Sequence, residues 1–243
     1  MFYINIMNKP LIVSIEGNIG SGKSTYLKKL NEEWKDKYNI YFLDEPVNEW
    51  LEFKDEDGEH ILSKFYKNQD QYSFTFQIMA YISRLNKLKN TINDIDNENK
   101  KKSIIITERS LATDKHVFAK MLYDDKKMEK IQHDIYNKWF DSFNKETEID
   151  KIIYIQSTPA TCHQRVMLRD RDGENNIPLD YLSSCHDYHE KMIKIEKGKG
   201  KEILMLDGNN NIFKNPNVID DWISQTEQII FKSTPNNVLQ NGC

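Results

Sequence analysis

A chain of 243 residues with 38% hydrophobic and 30% charged side chains has the balance of a single globular α/β unit rather than a disordered one. Its formal net charge of -4 argues against a nucleic-acid backbone as the main partner, and no apolar run approaches the ~20 residues a membrane-spanning helix needs. Cys162, Cys185 and Cys243 lack metal or redox spacing and the first residues lack the pattern of a secretory signal or transit peptide, so free thiols and a cytoplasmic location are expected.

Near-continuous aliphatic or β-branched runs at Leu11–Ile15, Ile40–Leu43, Ser103–Thr107, Lys151–Gln156 and Glu202–Leu206 read as strands covered on both faces. Helical stretches between them are long enough for crossovers. The alternation predicts an α/β fold, a five-stranded parallel sheet flanked by helices. Residues 1–232 are expected to form one domain, with 233–243 a flexible tail lacking periodicity. The polar, charged segment Asn90–Lys102 reads as an exposed loop whose lysines are solvated. Ligands of such sheets bind beyond the carboxyl ends of the strands, so the residues after each strand carry the chemistry.

After the first strand stands Gly17-Asn18-Ile19-Gly20-Ser21-Gly22-Lys23-Ser24, a G-x4-GK[ST] phosphate loop, followed by Thr25 and a helix with Tyr26, Leu27 and Leu30 on its apolar side. Glycines let backbone N–H groups turn inward around phosphate oxygens, and the helix N-terminus adds favourable partial charge. Lys23 is placed to reach the β- and γ-phosphates and Ser24 to coordinate Mg2+. A guanine-reading N-K-x-D motif is missing, which argues against a GTPase, and the length suits a small-molecule kinase.

The second strand is followed by Asp44-Glu45-Pro46. A carboxylate at Glu45 can accept a hydroxyl proton from an acceptor, although a helix-capping or salt-bridging glutamate fits composition equally well. Gly17–Thr25, Glu45-Pro46-Val47 with Trp50, Tyr72–Gln77, Glu108-Arg109-Ser110, and Arg169 with Arg171 followed by Ile177–Leu182 occur in the order found in deoxynucleoside kinases. The chain resembles that family from about Leu11 to Asp207. The resemblance implies a P-loop kinase fold with a lid, and transfer of the γ-phosphoryl of ATP (or another nucleoside triphosphate) to the 5′-OH of a deoxynucleoside. It also implies Mg2+ and a homodimer, with helices near Asp114–Phe143 available for packing.

Carried over by position, the resemblance implies that Glu45 is the general base, that Arg109 holds the hydroxyl and the transferring phosphoryl group, and that Glu108 joins Ser24 in holding Mg2+. Glu108 departs from the aspartate usual at such a position but serves the same electrostatic purpose. Tyr66 and Glu174 are implied to bind the sugar 3′-OH, Gln77 to pair with the base edge, and Phe118 to stack on the base. Trp50, Leu62, Phe65 and Phe76 are implied to wall the pocket.

Gln77, Ala80 and Arg84 share one helix face, while Ile78, Ile82, Leu85 and Ile92 form another stripe that suits the core. Periodicity alone would turn the polar face to solvent; the resemblance turns it to the substrate. In the family, positions matching Ala80, Arg84 and Asp114 help separate base preferences. The set here resembles the deoxycytidine and deoxyguanosine kinases, with Asp114 able to accept from an exocyclic amine and Arg84 able to donate to a carbonyl. A plain Arg84–Asp114 bridge is the alternative. Arg165 and Arg169, four apart on a helix, and Arg171 beyond them call for an anionic partner. Asp170, Asp172 and Glu174 are near enough to supply it; the resemblance instead assigns the segment as a lid over the triphosphate.

Two other readings stand beside this one: a nucleoside monophosphate (thymidylate-like) kinase, which Glu45 beside a phosphate acceptor disfavours, and a non-catalytic nucleotide-binding switch. The six histidines show no metal spacing, and His186 and His189 are expected at the surface.

Overall fold

β1 (Leu11–Glu16) is the central strand of an all-parallel sheet, with β3 (Ile104–Glu108) and β4 (Lys151–Gln156) beside it. β2 (Ile40–Leu43) and β5 (Glu202–Asp207) form the edges. This computed structural model describes residues 9–97, 103–143, 147–169, 171, 173–174, 177–210, 212 and 215–232. The proposed tail at 233–243 lies outside them, as do Asp170 and Asp172.

The three central strands are buried along nearly their whole length because both faces are covered, whereas the edge strand β5 is exposed at Glu202, Met205 and Asp207. On one face Val13, Ile15, Ile106 and Ile153 pack with Tyr26, Leu30 and Trp34 of α1 (Lys23–Trp34) and Trp222 of α10 (Pro216–Glu227). On the other, Ile12, Ile105, Ile152 and Tyr154 meet Leu88 of α4 (Gln69–Asn97) and Met192 of α9 (Leu179–Gly198). Each fully buried isoleucine of this kind contributes about 1.5–3 kcal/mol, so the central strands are fixed in register. Ile15 of β1 sits opposite Glu108 of β3, and Ser14 opposite Ile152 of β4. That register brings the ends of β1 and β3 together at one rim.

The remaining helices complete the two layers. They are α2 (Val47–Trp50), α3 (Ile61–Lys67), α5 (Leu111–Thr113), α6 (Lys120–Asp124), α7 (Lys130–Phe143) and α8 (Pro159–Arg169). α5 and α6 are joined by π-helical turns at Asp114–Ala119, so the stretch expected to hold long helices is broken and only α7 is long. α8 starts at Pro159 with the Thr158 hydroxyl accepting from the backbone N–H of Thr161, a cap that suits proline in the first turn.

Two expectations are corrected. The loop predicted from Asn90 is helical as far as Asn97, because Ile92 packs against the core and Ile95, three residues on, is fully buried with Leu88; residues 98–102 lie outside the described set. Along α4 both faces are largely enclosed: of the stripe expected in the core, Leu85 is buried and Ile78 and Ile92 pack against core clusters, and only Ile82 turns outward. Gln77, Ala80 and Arg84 are buried while Ile82 is 44% exposed.

Candidate active site

The rim at the carboxyl ends of β1 and β3 opens into a cavity of about 480 Å3. Apart from Gly17 and Asn18, every residue singled out as catalytic, phosphate-binding, metal-binding or substrate-binding lines it. Gly17 and Asn18 shape the loop from behind. Gly17 has φ 148°, and a Cβ there would meet the Ile155 carbonyl oxygen at 2.6 Å. At Gly20, φ 79°, a Cβ would meet the Cys162 carbonyl oxygen at 2.5 Å. Side chains are excluded at both positions by conformation and by contact. Asn18 donates from Nδ2 to the Leu182 carbonyl at 2.8 Å and accepts from the Ile19 N–H at 2.8 Å, tying the loop to α9.

Lys23 is buried and donates from Nζ to the Asn18 carbonyl at 2.7 Å. Burial, and then the positive charge of Arg109, lower its pKa to about 8, against the opposing pull of Glu108 and Glu45. Ser24 Oγ donates to Glu108 Oε1 at 2.8 Å, so the two residues nominated for a metal are in contact. Among the described residues no three His, Cys, Asp or Glu side chains gather as a metal site. A hydroxyl and one carboxylate match Mg2+, which keeps waters and takes substrate phosphate oxygens rather than an all-protein cage.

Glu45 follows β2 and meets two cations. Arg84 Nη2 and Arg109 Nε both donate to its Oε1, each at 3.0 Å. Burial alone would raise the carboxyl pKa; the charges of Arg109, Arg84 and Lys23, with the Arg84 hydrogen bond, outweigh it and bring it to about 2. Arg109 begins the turn after β3 with φ 63°, a left-handed conformation that costs a non-glycine residue about 1–2 kcal/mol. Its N–H donates to the Ile15 carbonyl, its Nη1 to the Gly17 carbonyl at 2.8 Å, and its guanidinium lies 5.0 Å from the centre of the Phe118 ring. Ser110 then caps α5 by accepting from the Thr113 N–H. The strained turn is thus held on both sides and aims Arg109 at the rim.

Deeper in the cavity Arg84 donates from Nε to Asp114 Oδ2 at 2.9 Å and from Nη1 to the Glu108 carbonyl at 2.8 Å. The bridge held open as an alternative is therefore present, and both partners also line the cavity. Burial pushes the Asp114 carboxyl up, with Arg84 opposing. Gln77 is 2% exposed and its Oε1 accepts no hydrogen bond among the described residues. A buried amide oxygen left in this way suits a ligand donor. The surrounding wall is aromatic: Phe65 stacks on Phe76 at 4.6 Å, Trp50 meets Phe76 edge-on, and Trp50 Nε1 donates to Ser83 Oγ at 2.9 Å. Burial, and then the charge of Glu174, raise the Tyr66 phenol well above its ordinary value, so it stays a donor.

The arginines of the expected lid are all engaged. Arg165 Nη1 donates to the Gly208 carbonyl at 2.7 Å and to that of Ser21 at 3.3 Å, joining α8, the phosphate loop and the turn after β5. Arg169 and Arg171 pair with Glu174, the latter at 3.3 Å. The carboxylate partner and the cavity-facing position thus coexist. Several lining residues were not anticipated, among them Val47, Leu168, Tyr181, Asn210 and Trp222. His189 contradicts its expected surface placement: it is fully buried, 3.4 Å from Arg109, and His186 is half-buried. Its place on the apolar stripe of α9, between Cys185 and Met192, was the available signal.

A family model described as deoxynucleoside kinase matches residues 13–231. The chain is 35% identical over 200 residues to a deoxycytidine kinase of Homo sapiens, covering 74% of each. It is 38% identical over 184 residues to a probable deoxycytidine kinase of Fowlpox virus (strain NVSL), covering 74% of this chain and 71% of the relative. It is 30% identical over 187 residues to a mitochondrial thymidine kinase 2 of Macaca fascicularis, covering 76% and 65%.

Proposed function

Because the chain belongs to the deoxynucleoside kinase family and is an ATP-dependent deoxynucleoside kinase of nucleotide salvage, resembling deoxycytidine kinases more than mitochondrial thymidine kinase, we propose that its acceptors are deoxycytidine and purine deoxynucleosides in preference to thymidine. The observation that carries this reading is the Arg84–Asp114 pair, 2.9 Å apart and lining the same cavity as the unpartnered Oε1 of Gln77. Held by Arg84, the Asp114 carboxylate accepts from the exocyclic amine of cytosine or adenine, which thymine lacks. Gln77 pairs with the base edge through both ends of its amide. Relatives named deoxycytidine kinase support the same preference.

In this reading Phe118 stacks on the base, and Trp50, Leu62, Phe65, Phe76 and Ala80 enclose it. Tyr66 donates to the sugar 3′-OH and Glu174 accepts from it. Glu45 takes the proton of the 5′-OH as its oxygen attacks, and Arg109 neutralises charge on the transferring phosphoryl group. The triphosphate lies over the N–H groups of residues 17–25, with Lys23 on its terminal phosphates and Arg165, Arg169 and Arg171 closing on it. Ser24 and Glu108 would hold Mg2+, which when bound neutralises charge on the β- and γ-phosphate oxygens.

Ile82 on α4 and Ile131, Ile135 and Trp139 on α7 expose between 43% and 65% of their surface. We assign this apolar surface to a homodimer contact, to be read by light scattering after size exclusion. No described helix is long and apolar enough to cross a membrane, and the buried free thiols of Cys162 and Cys185 suit a cytoplasmic location. The acceptor assignment is tested by competition among the four deoxynucleosides with labelled ATP. Preferential turnover of deoxycytidine or a purine deoxynucleoside is expected, and preferential turnover of thymidine overturns it.

A further inference from the structure

Behind the cavity wall one buried side chain touches Arg109 without lining the site. His189 on α9 has no exposed surface. Its Nδ1 lies 2.7 Å from the Cys185 carbonyl oxygen. A carbonyl oxygen only accepts, so Nδ1 carries the proton. Burial, and then the charge of Arg109, lower the imidazole pKa well below its ordinary value, with the Cys185 hydrogen bond opposing. The ring is therefore neutral and Nε2 is a bare lone pair. That lone pair faces Arg109 Nη1 at 3.4 Å, and a guanidinium can only donate. The tautomer follows from the chemistry on both sides of the ring.

The ring is also held in orientation. It lies nearly parallel to Tyr154, 15° off with centroids 6.3 Å apart, and edge-on to Phe118 at 6.1 Å. Phe118 in turn carries the Arg109 guanidinium on its face. Arg109 thus meets Glu45 through Nε, and Gly17 and His189 through Nη1, while its Nη2 makes no hydrogen bond among the described residues.

We infer that His189 is a positioning residue: a neutral acceptor that, with the Gly17 carbonyl and Glu45, sets the guanidinium of Arg109 so that Nη2 is left for an oxygen of the transferring phosphoryl group. A neutral acceptor suits the place better than the charged choices. A carboxylate there would compete with Glu45 and the phosphate for the guanidinium charge, and a cation would repel it. The inference rests on the reading of Arg109 given above.

Steady-state kinetics of the full chain separate the two ideas. His189→Phe keeps the ring and removes the acceptor, and His189→Gln supplies an amide oxygen in its place. His189→Phe is expected to lose roughly 10-fold or more in kcat, with KM for ATP and for deoxycytidine within about two-fold, and His189→Gln to recover most of the loss. Arg109→Lys reports on the arginine itself. If it loses kcat while His189→Phe keeps the unsubstituted value, the His189 inference falls alone; if Arg109→Lys keeps full kcat, the reading of Arg109 falls first. Equal losses in both histidine variants, with KM rising in step, also overturn the positioning role. Should His189→Phe not fold, NMR of the ring nitrogens in the unsubstituted, isotope-labelled protein decides, with the signal assigned by its loss in His189→Gln. A protonated Nδ1 with bare Nε2 supports the inference; an Nε2–H tautomer or a doubly protonated ring overturns it.

Discussion

Arg109 Nε donates to Glu45 Oε1 at 3.0 Å, locking the cation and the carboxylate at the rim to each other. The same oxygen also takes Arg84 Nη2, and among the described residues Oε2 accepts no hydrogen bond. Glu45 is therefore ionised, oriented and left with one free oxygen. With its pKa near 2 it is a weak base. Phosphoryl transfer through a loose transition state tolerates that, because the attacking hydroxyl grows acidic only as the bond to phosphorus forms. Charge placement and orientation then matter more than basicity.

The proposed base preference rests on the buried Arg84–Asp114 pair one layer deeper. Arg84→Met with Asp114→Ala is expected to shift preference towards thymidine, and unchanged base ratios in a four-substrate competition would contradict the assignment. The single variants differ in stability. Arg84→Met leaves Asp114 buried without its cation and is expected to cost roughly 3–5 kcal/mol, with the double variant recovering part of it. Urea unfolding of the three proteins measures this.

Alkaline pH is expected to weaken ATP capture. Lys23 carries its charge below about 8 in the free protein, and kcat/KM reports groups of the free enzyme. The value of kcat/KM for ATP should fall as pH rises through about 8. The limb in kcat should lie higher, because a bound triphosphate favours the ammonium. A kcat/KM that stays level from about pH 7 to about pH 9.5 would remove Lys23 from the triphosphate site.

Glu174 holds Arg169 and Arg171 and, in the proposed reading, also meets the sugar. Glu174→Gln is expected to shrink the penalty for a 2′,3′-dideoxynucleoside relative to its 2′-deoxy parent, because the lost 3′-OH no longer leaves a buried carboxylate unpaired. An unchanged ratio of kcat/KM values for the two would place the 3′-OH elsewhere.

Glu108→Gln keeps the shape of the contact with Ser24 and removes the charge. The Mg2+ concentration giving half-maximal rate is expected to rise about 10-fold or more, with KM for the deoxynucleoside little changed. A Mg2+ titration that superimposes on that of the unsubstituted protein would contradict this role.

The strands and the phosphate loop were legible because their signals are local. Both-face burial makes Ile104–Ile106 and Ile152–Ile155 continuous, and the glycine spacing is fixed by backbone approach to phosphate. The two faces of α4 were not legible from periodicity, which separates Gln77–Ala80–Arg84 from Ile78–Ile82–Leu85 without saying which side is enclosed. Here a cavity rather than the core takes the polar side. The extension of α4 was masked by its polar composition, although Ile92 and Ile95 suffice to anchor it. The pairing of charges was also hidden: sequence does not say which carboxylates meet Arg169 and Arg171, and proximity in space brings both arginines to Glu174. Likewise His189 reads as one histidine among six until the ends of β1 and β3 bring Arg109 against it.

The central claim is that the Glu45 carboxylate, held by two arginines, takes the acceptor's proton, and rapid-quench single turnover of Glu45→Gln with ATP and deoxycytidine measures that step alone. The account predicts a chemical step slowed by at least about 100-fold while deoxycytidine still binds. A chemical step at the rate of the unsubstituted enzyme would contradict it.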